Sequence, residues 1–238
     1  MDWTTVLLLG LAVAAGAFVQ SSISFGMAVV AAPFVVLAEP GLMPGALLIP
    51  SLTLPTIQLA TLPRDIDWRA LAWALPARAV ATPLGVAIVA LVSTRAIAAT
   101  VGVLVLATVA ASVWSPRVRP TRAAAAAAGA IGGVAGTAAT IGGPFLALVL
   151  QHSPPVRLRS TMATFFVAGS TMAVTGLVLG GQFTREQLLA GLTWLPFVVL
   201  GLVAGAPARA RLDQARLRRF VLAFCALASV TVIARSLL

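Results

Sequence analysis

Gly136-Thr137-Ala138-Ala139-Thr140-Ile141-Gly142-Gly143-Pro144 lies in the middle of an apolar segment that extends from 123 to 151. As one straight helix that segment would be roughly 44 Å long, against a bilayer core of about 30 Å. Glycine adds backbone freedom and proline removes a helix hydrogen bond, so the cluster favours a broken helix. A second segment, 3–38, has the same character. It would measure roughly 54 Å as a straight helix and is interrupted by Gln20-Ser21-Ser22-Ile23-Ser24-Phe25-Gly26. Each segment is either a hairpin that dips into the bilayer and returns or one tilted, discontinuous span.

Six further apolar segments, 41–62, 69–92, 95–114, 159–180, 187–206 and 216–236, fit one crossing each. Together with the two long segments they leave no stretch for a water-soluble domain. Composition agrees: 60% of residues are hydrophobic and 9% charged, with a mean hydropathy of +1.05, whereas soluble domains carry about a quarter charged residues. The expected fold class is an all-α polytopic membrane protein. The sequence Met1-Asp2-Trp3 lacks a basic n-region, so the apolar stretch after it reads as a retained membrane segment.

The net charge of +10 is the excess of sixteen basic residues, all arginines placed mainly in short connections, over six acidic ones. That is the positive-inside pattern and not a nucleic-acid-binding stripe. Twelve of them (Arg64, Arg69, Arg117, Arg119, Arg122, Arg157, Arg159, Arg209, Arg211, Arg216, Arg218 and Arg219) fall on one side only if 123–151 makes no net crossing. The expected topology has a re-entrant hairpin there, the arginine-rich face cytoplasmic and both termini periplasmic in a bacterial inner membrane. Arg95, Arg185 and Arg235 remain for the opposite side.

Internal similarity extends this to the first segment. Pro33-Phe34-Val35-Val36-Leu37 echoes Pro144-Phe145-Leu146-Ala147-Leu148, and Leu75-Pro76 and Gly85 match Leu195-Pro196 and Gly205 at a constant offset of 120. The chain reads as a duplicated unit, 1–118 and 119–238, each with one broken, re-entrant helical hairpin plus three transmembrane helices. An odd number of crossings per unit makes the two repeats inverted, an architecture used by transporters.

The two glycine-rich hairpins at 16–37 and 129–150, each ending in proline and an apolar run, resemble those of the TauE/SafE family of sulfite and organosulfonate exporters. The Ile141-Gly142-Gly143-Pro144 core is similar to that family's Gly-Gly-x-Pro-like signature, and weaker similarity covers nearly the whole chain. The first copy departs from the pattern, with Met27-Ala28-Val29 where more glycine is typical. The resemblance implies an inner-membrane exporter of small sulfur-containing anions such as sulfite or sulfoacetate, with no enzymatic activity and no cofactor.

Physical chemistry supplies a reason for an anion at such breaks. A helix interrupted inside the bilayer exposes free N–H groups at the positive end of its dipole. Gly26, Gly142 and Gly143, followed by Pro144, open the second half-helices, next to Phe25. Ser21, Ser22, Ser24, Thr137 and Thr140 offer neutral hydroxyls. The alternative is that the small residues serve close helix packing alone. Gln20 and Gln58 are amide donors or interhelical hydrogen-bonding groups. Arg78, the one charge deep in an expected span, is either a counter-charge for the anion or a cation that snorkels to the surface. The expected partners are this small anion, the lipid bilayer and a second copy in a homodimer.

Rival classes lack residues. An intramembrane serine protease would need His152 beside Ser170, yet the only histidine precedes the serine and lies outside its span. One cysteine, Cys225, and no intramembrane carboxylate give neither a metal set, a thiol pair nor a proton carrier. Trp3, Trp68 and Trp114 at segment ends read as interface anchors. A non-transporting membrane scaffold also remains compatible with the sequence.

Overall fold

Local signals start several helices where the apolar runs begin. Asp2 accepts a hydrogen bond from the Thr5 N–H (2.9 Å), Asp67 from Ala70 (3.0 Å) and Thr121 from Ala124 (3.1 Å), which satisfies free donors at three helix N-termini. Thr184 and Gln187 form a reciprocal capping box at a fourth. In the computed structural model, which describes residues 2–24, 26–114, 118–211 and 213–237, the elements are all helical. They are α1 (Trp3–Ile23), α2 (Met27–Ala38), α3 (Gly45–Thr61), α4 (Trp68–Leu91), α5 (Thr94–Trp114), α6 (Arg122–Ala138), α7 (Gly143–Val149), α8 (Pro155–Leu179), α9 (Arg185–Thr193), α10 (Leu195–Arg211) and α11 (Gln214–Leu237). A short 3-10 turn, Pro40–Leu42, precedes α3.

Both long apolar segments are hairpins. α2 packs back on α1, so that Leu8 and Leu9 at the start of one share a groove with Leu37 and Ala38 at the end of the other. α7 likewise returns along α6 and brings Val149 and Leu150 beside Arg122 and Ala125. The chain therefore enters and leaves each hairpin at one end of the molecule. For the second hairpin that end also holds Asp67, Arg69 and the Arg157 to Asp65 ion pair (3.1 Å). The opposite end gathers the connections around 41–43 and 184–187, where the Gln187 amide donates to the Gly41 carbonyl (3.1 Å).

Six helical segments among the described residues are long and apolar enough to cross a membrane: Trp3–Ile23, Trp68–Leu91, Arg95–Trp114, Pro155–Leu179, Arg185–Ala208 and Arg216–Arg235. One boundary differs from the sequence expectation, and one span carries a local irregularity. Within 41–62 the Pro40–Leu42 turn delays the helix to Gly45, leaving α3 at 17 residues, the low end of spanning length. Within 187–206 the helix is interrupted at Trp194. Pro196 has no N–H to continue the ladder, and the Phe197 N–H turns to the Trp194 carbonyl at 3.1 Å.

Packing joins the two halves of the chain. α1 lies against α10 and α6 against α4, while α3 meets α8 and α5 meets α11. The crossings are close because small residues sit at them. A Cβ on Gly129 would collide with the Ala74 carbonyl of α4, and one on Gly201 with the Ala14 carbonyl of α1. The main core cluster runs through α1, α2, α3, α5 and α11, from Val13 and Met27 to Leu47, Val101 and Cys225. A second, around Leu71, Leu146 and Phe165, joins α4, α6, α7 and α8. The outward faces carry exposed Leu84, Val103, Leu200 and Leu227, apolar surface suited to lipid.

Candidate functional site

The two helix breaks lie on opposite sides of one cavity. At the first, α1 ends with Ser24 in the left-handed region (φ 57), its N–H donating to the Gln20 carbonyl at 2.9 Å. Gly26 follows at φ 102, a conformation that favours glycine. The Gln20 side chain spans the break: its Oε1 accepts from the Met27 N–H at 2.6 Å and so caps α2. At the second, α6 ends at Ala138 and Thr140 takes φ 62, where a β-branched residue is strained by about 1–3 kcal/mol. The Thr140 hydroxyl donates to the Pro44 carbonyl at 3.3 Å, tying the break to the start of α3.

Gln20, Gly26 and Met27 from the first break and Thr140, Gly142, Gly143 and Pro144 from the second line this cavity, together with Arg78. Its volume is about 20 Å³, room for about one water molecule. The site is closed.

Arg78 is the dominant charge. It projects from α4 and is 3% exposed. Its guanidinium passes between Gly136 of α6 and Gly169 of α8; a Cβ on Gly136 would stand 2.8 Å from Nη2, and one on Gly169 would overlap the group itself. It stacks 4.4 Å from the Phe165 ring centroid, and Nη1 donates to the Phe165 carbonyl at 3.4 Å. Nε has no hydrogen-bond partner, and among the described residues no carboxylate pairs with Arg78. A cation this deep, held by a ring face and one carbonyl, lines the cavity with donors left unused.

The model of the family described as Sulfite exporter TauE/SafE matches residues 8–232. The chain belongs to the TauE/SafE family. Comparison with curated proteins and with solved structures gives no match. In this TauE/SafE member the match covers both hairpins and every helix that lines the cavity.

The remaining expected site residues lie elsewhere. The Ser22 hydroxyl donates to the Phe18 carbonyl at 2.8 Å within its own helix. Ser21 is buried against α10, its Cβ 2.8 Å from where a Cβ on Gly205 would stand. Thr137 faces Gly85 of α4 in the same way, and Gln58 is buried on α3 outside the cavity lining. Ser24 lines a neighbouring cavity with Arg218, to which Pro144 of the central site also contributes. Phe25 lies outside the described residues. His152 is exposed in the connection from α7 to α8, and Trp3, Trp68 and Trp114 are exposed at helix ends.

Contributors to the cavity and to Arg78 that sequence reasoning did not assign to the site include Ser51, Phe166, Gly136 and Gly169. Ser51 carried a usable signal, as a polar residue next to Pro50 in an apolar run. Phe166 carried none, because one aromatic among many apolar residues is distinguished only by what it touches.

Proposed function

We propose that this TauE/SafE protein exports a small sulfur-containing oxyanion, such as sulfite or sulfoacetate, through the cavity between the two helix breaks. The observation that carries the reading is Arg78. A buried guanidinium without a carboxylate partner is costly, and an anion in the cavity it lines would offset that cost. Gly26, Gly142 and Gly143 allow a ligand to approach the backbone, while Gln20, Thr140, Ser51 and Ser170 add neutral polar groups around it. These groups recognise charge and oxygen atoms and not sulfur, so the donor set also suits other small oxyanions.

We further propose that the two halves, 1–118 and 119–238, are inverted repeats in a bacterial inner membrane, with the arginine-rich end cytoplasmic and both termini periplasmic. Three observations support this. Helix pairings exchange under a swap of halves, α1 on α10 against α6 on α4. Each half contributes one hairpin break to the cavity. Arg69 and Arg122 lie beside one cavity at one end of the molecule, while Arg95 and Arg235 lie beside another.

The test is flux into proteoliposomes with purified protein, using sulfite, sulfoacetate, taurine and sulfate with and without a pH gradient. Saturable transport of sulfite or sulfoacetate over sulfate supports the proposal. Equal transport of all the anions leaves an oxyanion carrier without sulfur selectivity, and no flux of any of them refutes transport in favour of a scaffold.

A further inference from the structure

Two other arginine-bearing cavities occupy corresponding places in the two halves. In the first, α7 and the residues after it contribute Ala147, Leu148 and Gln151, and the α5 and α11 pair contributes Ser112 and Arg218. In the second, α2 and the residues after it contribute Val36, Leu37 and Pro40, and the same helix pair contributes Ala98 and Val232, with Arg95 and Arg235. Residues 36, 37 and 40 stand to 147, 148 and 151 as the two hairpin motifs stand to each other. Residues 98 and 112 stand to 218 and 232 at the 120-residue offset of the duplicated spans. Each cavity is thus the duplicate of the other, and they sit at opposite ends of the α5 and α11 pair.

Each carries cation where a bare apolar groove would suffice for lipid. Arg218 donates from Nη2 to the Ser112 carbonyl at 3.2 Å. Arg95 and Arg235, 140 positions apart in the chain, converge on one groove, and neither forms an ion pair with Glu39 or any other carboxylate among the described residues. The volumes are about 140 Å³ and 260 Å³, enough for a hydrated small anion, whereas the cavity at Arg78 has room for about one water. The first abuts the central site directly, because Pro144 lines both and Ser24 is two residues from Gly26. The second shares no lining residue with the centre.

We infer that these two cavities are anion-capture sites at the two mouths of the pathway, with Arg218 on the arginine-rich side and Arg95 with Arg235 on the other. This rests on the oxyanion-exporter reading of the Arg78 cavity. The three arginines are exposed at the rims of these cavities, so the field at each mouth raises the local concentration of a small oxyanion and disfavours cations, and salt screens it. In the conformation described, the mouth at Arg218 is the one that reaches the central site.

The test uses thiol modification of the full-length protein in detergent. Leu148→Cys reports the first cavity and Leu37→Cys the second; native Cys225, 1% exposed, is the background. The probes are two methanethiosulfonates of similar size, one ending in a sulfonate and one in trimethylammonium. Arg218→Gln should lower the ratio of anionic to cationic modification rates at residue 148 by about three- to tenfold and leave the ratio at 37 unaltered. Arg95→Gln combined with Arg235→Gln should do the reverse, and added salt should compress both effects. Unaltered ratios, equal changes at both mouths, or no modification of either cysteine would overturn the inference. The readout needs no transport. Unaltered ratios alongside flux that depends on Arg78 would sink the capture sites alone, and charge-selective ratios without flux would sink the exporter reading alone.

Discussion

Replacing Arg78 with Gln separates a substrate counter-charge from a structural cation. The guanidinium is 3% exposed and no carboxylate pairs with it among the described residues. Its desolvation is therefore incurred in the protein before any anion arrives, and binding recovers the attraction. Two unit charges about 4 Å apart at an effective dielectric of about 20 attract by about 4 kcal/mol. Truncating one partner of a buried, hydrogen-bonded charge pair costs about 2–5 kcal/mol. At about 1.4 kcal/mol per decade, Arg78→Gln should weaken apparent anion affinity by about 30- to 3,000-fold. Stability should move the other way or hardly at all. Removal of an unpaired buried cation offsets the lost contact with Phe165, worth about 0.5–2 kcal/mol. The assay pairs proteoliposome flux over a sulfite titration with the sulfite dependence of the unfolding temperature in detergent. Wild-type protein should be stabilised by mass action and the variant should not. If the variant unfolds on purification, or keeps the sulfite-dependent rise in unfolding temperature, Arg78 is a structural residue and the reasoning fails.

Glycines around the site give graded expectations. Gly169→Ala places a methyl on the Arg78 guanidinium, so flux should fall at least tenfold with the fold retained, whereas Gly41→Ala, with nothing within 4 Å, should transport like wild type. At the second break, Gly142→Ala meets the Gly132 carbonyl at 2.8 Å and should lower the unfolding temperature. Gly143→Ala meets the movable Phe166 ring instead and should alter substrate selectivity in the flux panel. Cysteines at Val118 and Ser153 should react with impermeant reagent from one face of oriented membranes and a cysteine at Gly41 from the other; labelling of Val118 and Ser153 from different faces would contradict the hairpin topology.

Class and breaks were legible in the sequence because each depends on quantities that are local along the chain. Apolar length against bilayer thickness identifies membrane segments wherever they fold. A glycine and proline cluster interrupts a helix whatever packs against it. The same local logic singled out Gln20, Gly26, Thr140, Gly142 and Gly143, all of which line the cavity between the breaks. It placed the start of the third helix a few residues early, because the Pro40–Leu42 turn delays α3 to Gly45 without changing the hydropathy of the run.

Tertiary structure decided the rest, because it depends on which residues of different helices meet. Ser22 and Thr140 look alike in sequence as hydroxyls at a break. Ser22 donates to the Phe18 carbonyl of its own helix and, at 3.4 Å, to the Gly205 carbonyl of α10, away from the cavity, whereas Thr140, held at φ 62, reaches Pro44 beside it. Nothing local distinguishes Gly169 from the other small residues of the chain, and nothing local ties Gly136 to Arg78; both matter because α4 crosses α6 and contacts α8 where Arg78 needs space. The partners of Arg78 show the limit most clearly. Sequence could say that a cation lay deep in a span, but a snorkelling arginine and a buried one have the same neighbours in the chain. Only the packing of Phe165 and two glycines around it holds the guanidinium inside, next to both breaks.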